Sequence, residues 1–148
     1  MDEKDREIIN QIQSGFPICE RPYQEVATRV ALSEDEVLER VGRLKQEGII
    51  RRIGANFDSR SLNFTSTLCA ARVPEEKLGQ FVEVVNSYPG VTHNYQRNHS
   101  YNVWFTFIAP TMSEIEASLE EISRRTGVQE ICNLPAVKMY KIKVDFPV

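Results

Sequence analysis

Apolar positions in the first sixty residues recur at helical spacing, and the polar positions between them break the run into short segments. Ile8, Ile9 and Ile12 form an apolar stripe that predicts a helix from about Asp2 to Gln13, stopped at Ser14-Gly15. Pro22 opens a second helix, since its missing N–H costs nothing in a first turn, and Val26, Ala27 and Val30 supply its buried face. Ser33 and Glu36 match a capping box ahead of a third helix carrying Val37, Val41 and Leu44. Gly48 is its stop. The segment from Ile49 to Phe57 reads as a short strand pair, or wing. Three short helices and a wing predict a winged helix-turn-helix domain over residues 1–60.

Beyond residue 60 the period changes. Phe64–Val73 reads as a strand, and Pro74 opens a helix with Leu78, Phe81, Val82 and Val85 on its apolar side. Tyr88-Pro89-Gly90 is a turn signal. Strands follow at about Val91–Arg97 and Tyr101–Ile108, joined tightly through Asn98-His99-Ser100. Thr111 and Glu114 cap a helix striped by Ile115, Leu119 and Ile122, and Gly127 closes it. Val128–Asn133 and Val137–Val144 are candidate closing strands. The order β-α-β-β-α-β over residues 61–148 predicts a ferredoxin-like αβ-sandwich, and the whole chain is of the α+β class. Such an open sheet leaves one face free, and pairing that face with another chain would bury it.

Charge then narrows the function. The net charge of the 148 residues is only -3, so no global field draws nucleic acid or an anionic membrane. A helix that reads DNA sets its first residues against base edges and phosphates. Here those residues are Glu34, Asp35 and Glu36, with Glu39 one turn on. Arg40, Arg43 and Lys45 lie further along the helix, where they could touch a backbone. No nucleic-acid partner is expected. No apolar run approaches the roughly 20 residues that span a bilayer, and the acidic start MDEKDREIIN is unlike a signal peptide. A cytoplasmic protein is expected, with Cys19, Cys69 and Cys132 as reduced thiols rather than a zinc site or disulfide framework.

The chemistry concentrates in the run from His93 to Thr106, HNYQRNHSYNVWFT, which holds both histidines of the chain. Strand alternation sets His93, Tyr95 and Arg97 on one face, with His99 if the strand runs that far. Histidine serves as acid, base or metal ligand near neutral pH. Arginine forks onto carboxylates. With Tyr101 and Trp104 the set suits a planar ligand rich in carboxylates. A surface histidine beside a turn and aromatics packed in a core are the structural alternatives.

Two resemblances follow from these residues. The plan as a whole, with the segment from Leu38 to Ile50, resembles the Lrp/AsnC family of regulators. The run from His93 to Thr106 closely resembles the signature of siroheme decarboxylase subunits, and Phe16-Pro17-Ile18 with Arg21-Pro22-Tyr23 resembles the same family between its first two helices. That second resemblance implies a carboxy-lyase that converts siroheme to 12,18-didecarboxysiroheme by losing two acetate carboxyl groups as CO2. It implies no cofactor beyond the iron tetrapyrrole itself, and a partner in the form of a paralogous subunit. His93 and His99 become the candidate catalytic residues, one of them a proton donor, with axial ligation of the substrate iron as an alternative for either. Tyr95, Arg97, Tyr101, Trp104, Arg51 and Arg52 become candidate substrate-binding residues, with Arg72 and Lys138 behind them. Two other functions remain open: a ligand-responsive DNA-binding regulator of the Lrp/AsnC type, and a tetrapyrrole-binding subunit without activity of its own.

Overall fold

Three helices form around a small apolar centre in the first part of the computed structural model, which describes residues 1–55, 57–141 and 146–148. Helix α1 spans Glu3–Gly15, α2 Pro22–Val30 and α3 Glu34–Gln46. Each start has a local cause. Asp2 and Asp5 exchange side-chain and backbone hydrogen bonds at 2.8 and 2.9 Å, a reciprocal cap for α1. Pro22 stands at the first position of α2, and Ser33 Oγ accepts from the Glu36 N–H in α3. Ile8, Val26, Ala27, Val30, Val37 and Val41 close the core, with Ile12, Tyr23, Leu32 and Ile50 at its margin.

The expected wing is absent among the described residues of 49–57. After Gly48, with φ of 74°, the N–H groups of Ile49 and Ile50 both turn back to the Leu44 carbonyl at 3.0 and 3.1 Å. They close the end of α3 and are not available to a strand ladder. The end of the chain belongs to this helical unit: Asn10 donates to the Val148 carbonyl at 2.7 Å, and the Phe146 N–H donates to Gln13 at 2.8 Å.

Beneath α3 lies a buried ion cluster that sequence periodicity did not reveal. Asp5 is fully buried. Arg43 reaches its carboxylate at 2.6 and 2.8 Å and Arg40 at 3.0 Å, while Arg40 also binds Asp2 at 2.7 Å. Burial opposes ionisation of Asp5, but hydrogen bonds from Arg43, from the Asp2 backbone and from Arg40 outweigh it and hold the carboxyl below its ordinary 3.8. A lowered folded-state pKa means the stabilisation is complete above the unfolded value and fades as pH falls through and below it. Asp5→Asn is therefore expected to cost about 2 kcal/mol at pH 7, since it removes the buried carboxylate that Arg40 and Arg43 share while each keeps a partly exposed partner in Asp2, Glu36 or Glu47. In urea titrations the gap between the two proteins should narrow steadily below about pH 4; a gap that does not change with pH would contradict an ionised Asp5.

The second unit spans Asn56–Tyr140. Strands β1 (Thr65–Ala71), β2 (Val91–Gln96), β3 (Val103–Ala109) and β4 (Ile131–Pro135) form an antiparallel sheet in the order β2-β3-β1-β4. Helices α4 (Leu78–Asn86), entered through a 3-10 turn at Glu75–Lys77, and α5 (Met112–Thr126) bury Phe81, Val85, Ile115, Leu119 and Ile122 against one sheet face. Along β3, Val103, Phe105, Phe107 and Ala109 point into that core in strict alternation. This is the predicted βαββαβ fold. Gly90 leads into β2 where the Ile108 carbonyl leaves no room for a Cβ, and the Ile108 N–H bonds the Gly90 carbonyl at 2.8 Å.

The close of the sheet differs from expectation. Val128–Glu130 is irregular, with Thr126 Oγ1 accepting from the Val128 N–H at 3.3 Å. The last strand among the described residues is Ile131–Pro135, where Pro135 has no N–H to continue the ladder. Val137–Lys141 forms no strand, and residues 142–144 of the expected second closing strand lie outside the described residues.

Candidate functional site

The site residues sit on the outer face of the β2–β3 hairpin, the sheet face turned away from α4 and α5. Register sets His93 opposite Thr106 and Tyr95 opposite Trp104, while Asn94 pairs with core-facing Phe105. A bulge at Thr92 places two residues of β2 against one of β3. That irregularity brings Thr92 Oγ1 within 2.9 Å of Thr106 Oγ1, and both hydroxyls flank His93 Nδ1, at 3.1 and 3.3 Å.

From His93 a column of rings and charge runs along the strand. The His93 and Tyr95 rings stack at 6.2 Å, and the Arg97 guanidinium lies 5.7 Å over the Tyr95 ring. A second column adjoins the connection. His99 stacks on Tyr101 at 6.4 Å, and the Arg72 guanidinium lies 5.5 Å over the Tyr101 ring. His99 Nδ1 accepts the Tyr101 backbone N–H at 3.1 Å. A hydrogen bond with neighbouring Cys132 raises the Tyr101 phenol above its ordinary value.

The charges divide by availability. Arg72 is paired with Glu130 at 3.4 Å. Arg97, Arg51 and Arg52 have no carboxylate partner among the described residues and are exposed. Arg97 and His99 border an open recess of about 520 Å³ with Glu75, Leu78, Asn98 and Asn102. Arg51 and Arg52 belong to the helical unit, where they edge a cleft of about 680 Å³ lined by Ile9, Ile12, Phe16 and Ile53. Lys138 reaches the Tyr140 ring at 5.2 Å. Trp104 is half-buried, and its indole N–H donates to the Tyr101 carbonyl at 2.7 Å, which fixes the hairpin end.

One residue that sequence reasoning left without a role holds this arrangement together. Asn102 accepts the Val73 N–H at 2.8 Å and donates to the Val73 carbonyl at 2.9 Å, while its own carbonyl receives the Arg97 N–H at 2.8 Å. An amide side chain that satisfies one backbone peptide on both sides leaves no signal in periodicity. Asn102→Ala is expected to cost about 2 kcal/mol, since it unpairs both Val73 groups. A fall in melting temperature below 1 °C would show the clamp to be dispensable.

The recognition-helix question has a structural answer within the helical unit. Glu34, Asp35 and Glu36 form the first turn of α3. Arg40 and Arg43 are engaged by Asp2, Asp5, Glu36 and Glu47, and Arg21 by Glu34. A gel shift at low salt is expected to show no retarded complex with random duplex DNA; a complex that disappears as salt rises would reverse this reading. No helix among the described residues is long and apolar enough to cross a membrane.

Comparison with known proteins adds relatives at both levels. A family described as AsnC-like ligand binding domain matches residues 61–141, and a siroheme decarboxylase NirDL-like HTH domain matches residues 5–51. The chain is 56% identical to the siroheme decarboxylase alpha subunit of Desulfovibrio desulfuricans, over 99% of this chain and 84% of that one. It is 40% identical to the siroheme decarboxylase NirD subunit of Pseudomonas aeruginosa, over 99% and 97%. Among solved structures, siroheme decarboxylase NirDL in complex with an iron-uroporphyrin III analogue superposes with a TM-score of 0.72 at 32% identity, covering 96% of this chain and 48% of that one. Escherichia coli AsnC superposes at 0.82 with 17% identity over 98% and 97%, a likeness of fold alone.

Proposed function

The chain belongs to the siroheme decarboxylase family, and from that premise we propose that it is a subunit converting siroheme to 12,18-didecarboxysiroheme together with a related partner chain. The observation that carries this reading is the hairpin column of His93, Tyr95 and Arg97, with a guanidinium that no carboxylate among the described residues pairs with. A ligand bearing eight carboxylates needs fixed positive charge, and Arg97 offers a planar fork for one of them. The Tyr95 and Tyr101 hydroxyls donate to others. Arg51 and Arg52 are second-rank candidates, since their segment serves equally as a solvated surface.

Losing CO2 from an acetate arm leaves an electron pair on the adjoining carbon, and the conjugated macrocycle delocalises it. The substrate thus supplies its own electron sink. The remaining task of the chain is to hold the macrocycle, to orient the two reacting acetates among six retained carboxylates, and to deliver a proton to the carbon that becomes a methyl group. His93 and His99 are the groups able to do so.

The site lies open on one chain: His93, Arg97 and His99 are all exposed. In this reading a second chain covers the outer sheet face, where Leu68 and Leu134 are 40% and 45% exposed. The NirDL likeness supports it, since this whole chain matches about half of that one. The test is anaerobic incubation with siroheme, alone and with the paralogous subunit, followed by mass spectrometry of the tetrapyrrole. Loss of two CO2 units is the expected result, and intact siroheme with the partner present would overturn the reading.

A further inference from the structure

The two histidines differ in what meets their Nδ1 atoms. At His99 the nearest neighbour is the backbone N–H of Tyr101, 3.1 Å away, with the Ser100 hydroxyl farther off at 3.5 Å. A backbone amide only donates. Nδ1 must therefore present a lone pair, and the ring proton of neutral His99 lies on Nε2. At His93 the neighbours are the hydroxyls of Thr92 and Thr106, at 3.1 and 3.3 Å, themselves 2.9 Å apart. A hydroxyl donates or accepts as required. His93 Nδ1 can hold a proton or lack one, and no polar group is left unpaired in either state.

This difference bears on proton delivery. An imidazolium that gives up its Nε2 proton is left with its remaining proton on Nδ1. At His93 either threonine oxygen accepts that proton as a hydrogen bond. At His99 it would oppose the Tyr101 N–H, donor against donor. Iron ligation through Nε2 has the same requirement, because the metal takes the Nε2 lone pair and the proton must sit on Nδ1. While the Tyr101 bond stands, His99 can do neither.

We propose that the histidines divide the work: His93, seated on the Thr92–Thr106 hydroxyl pair, delivers the proton, and His99 is a fixed Nε2–H donor that anchors a substrate carboxylate and does not ligate iron. The division rests on the decarboxylase reading given above. In the step, the bond from the acetate methylene carbon to its carboxylate breaks and CO2 leaves. The electron pair remains on the methylene carbon, delocalised into the macrocycle. His93 Nε2 gives its proton to that carbon, a new C–H bond forms, and the neutral ring keeps its proton on Nδ1 against a threonine oxygen. A proton taken up from solvent once the product leaves recharges Nε2. Thr92 and Thr106 are thus positioning residues.

The first readout does not depend on activity. Nitrogen NMR of the full chain with labelled histidine should show neutral His99 bare at Nδ1; a proton found there overturns the assignment whether or not the enzyme turns over. The second readout is kinetic, with the partner subunit present. The double variant Thr92→Val, Thr106→Val should lower kcat about tenfold with KM changed less than threefold, and serine at both positions should restore it. His99→Ala should act mainly on KM, raising it about tenfold, and His99→Gln, which keeps an N–H near the same place, should recover most of that loss. His93→Gln should recover no kcat, because an amide carries no transferable proton. A kcat loss confined to the His99 variants, with the threonine pair inert, would reverse the two roles. Wild-type subunits that leave siroheme intact would remove the decarboxylase reading and the proton role with it, while the NMR result would still report the ring of His99.

Discussion

Replacing His93 by alanine is expected to lower siroheme turnover roughly 10²–10⁴-fold in the presence of the partner subunit, the usual weight of a lost proton donor. The effect should fall on the chemical step. His93 is exposed and belongs to neither apolar core, so melting should change little. Its ring touches Tyr95 and the two threonine hydroxyls, none of which needs the imidazole in order to keep the strand in register. Binding of siroheme should persist as well, since Arg97 and the tyrosines remain. The measurement is single-turnover decarboxylation followed by mass spectrometry, with the Soret band recorded on binding. A loss below about threefold for both His93→Ala and His99→Ala would take the histidines out of the mechanism. A Soret band that shifts on binding in the wild type and does not shift in one variant would instead make that residue an iron ligand.

Much of this site could be read from the strand period alone. Two-residue alternation places His93, Tyr95 and Arg97 on one face, and their rings and charge do stack in that order. The same alternation sent Val103, Phe105 and Phe107 into the core. What period cannot carry is the partner of a single polar atom. The bulge at Thr92 slips one residue between His93 and its neighbour, and so creates the hydroxyl pair. Asn102 reaches back to Val73, 29 residues away in the chain, and no local pattern marks such a bond.

As far as they are described, the two misread stretches have the same origin. Ile49–Phe57 and Val137–Val144 have strand-like composition, but a strand needs a neighbour to take up its N–H and C=O groups. Leu44 captures the first pair of N–H groups, and Pro135 ends the ladder before the second segment. The acidic entry to α3 was legible from its first turn. Its completion by Asp5 was not, because a buried carboxylate on α1 looks in sequence like any charged residue at a helix start. Sequence gives the sign of that surface, and the fold explains why its arginines are not available to a phosphate.

Arg97→Glu is expected to raise the KM for siroheme about 10²-fold or more and to leave the melting temperature within 1 °C. The substitution removes a charge-assisted forked contact and puts a like charge beside an octa-acid ligand. Stability should be spared because Arg97 is exposed and pairs with no carboxylate among the described residues. Its stacking over Tyr95 is a surface contact of small weight. Arg97→Lys separates charge from geometry: a lysine keeps the positive charge and loses the planar fork, so an intermediate KM, about tenfold raised, is expected. Ionic strength provides an internal control. The penalty of the reversed charge should shrink between 0.05 and about 0.5 M salt, because exposed charges are screened over a Debye length of about 10 Å at 0.1 M. A KM within threefold of wild type for Arg97→Glu would transfer the carboxylate-binding role to Arg51 and Arg52, and their paired substitution would then have to produce the missing loss. If the loss instead appears in kcat with KM unchanged, Arg97 acts on the reacting acetate during bond cleavage and not on the retained carboxylates that hold the macrocycle in place.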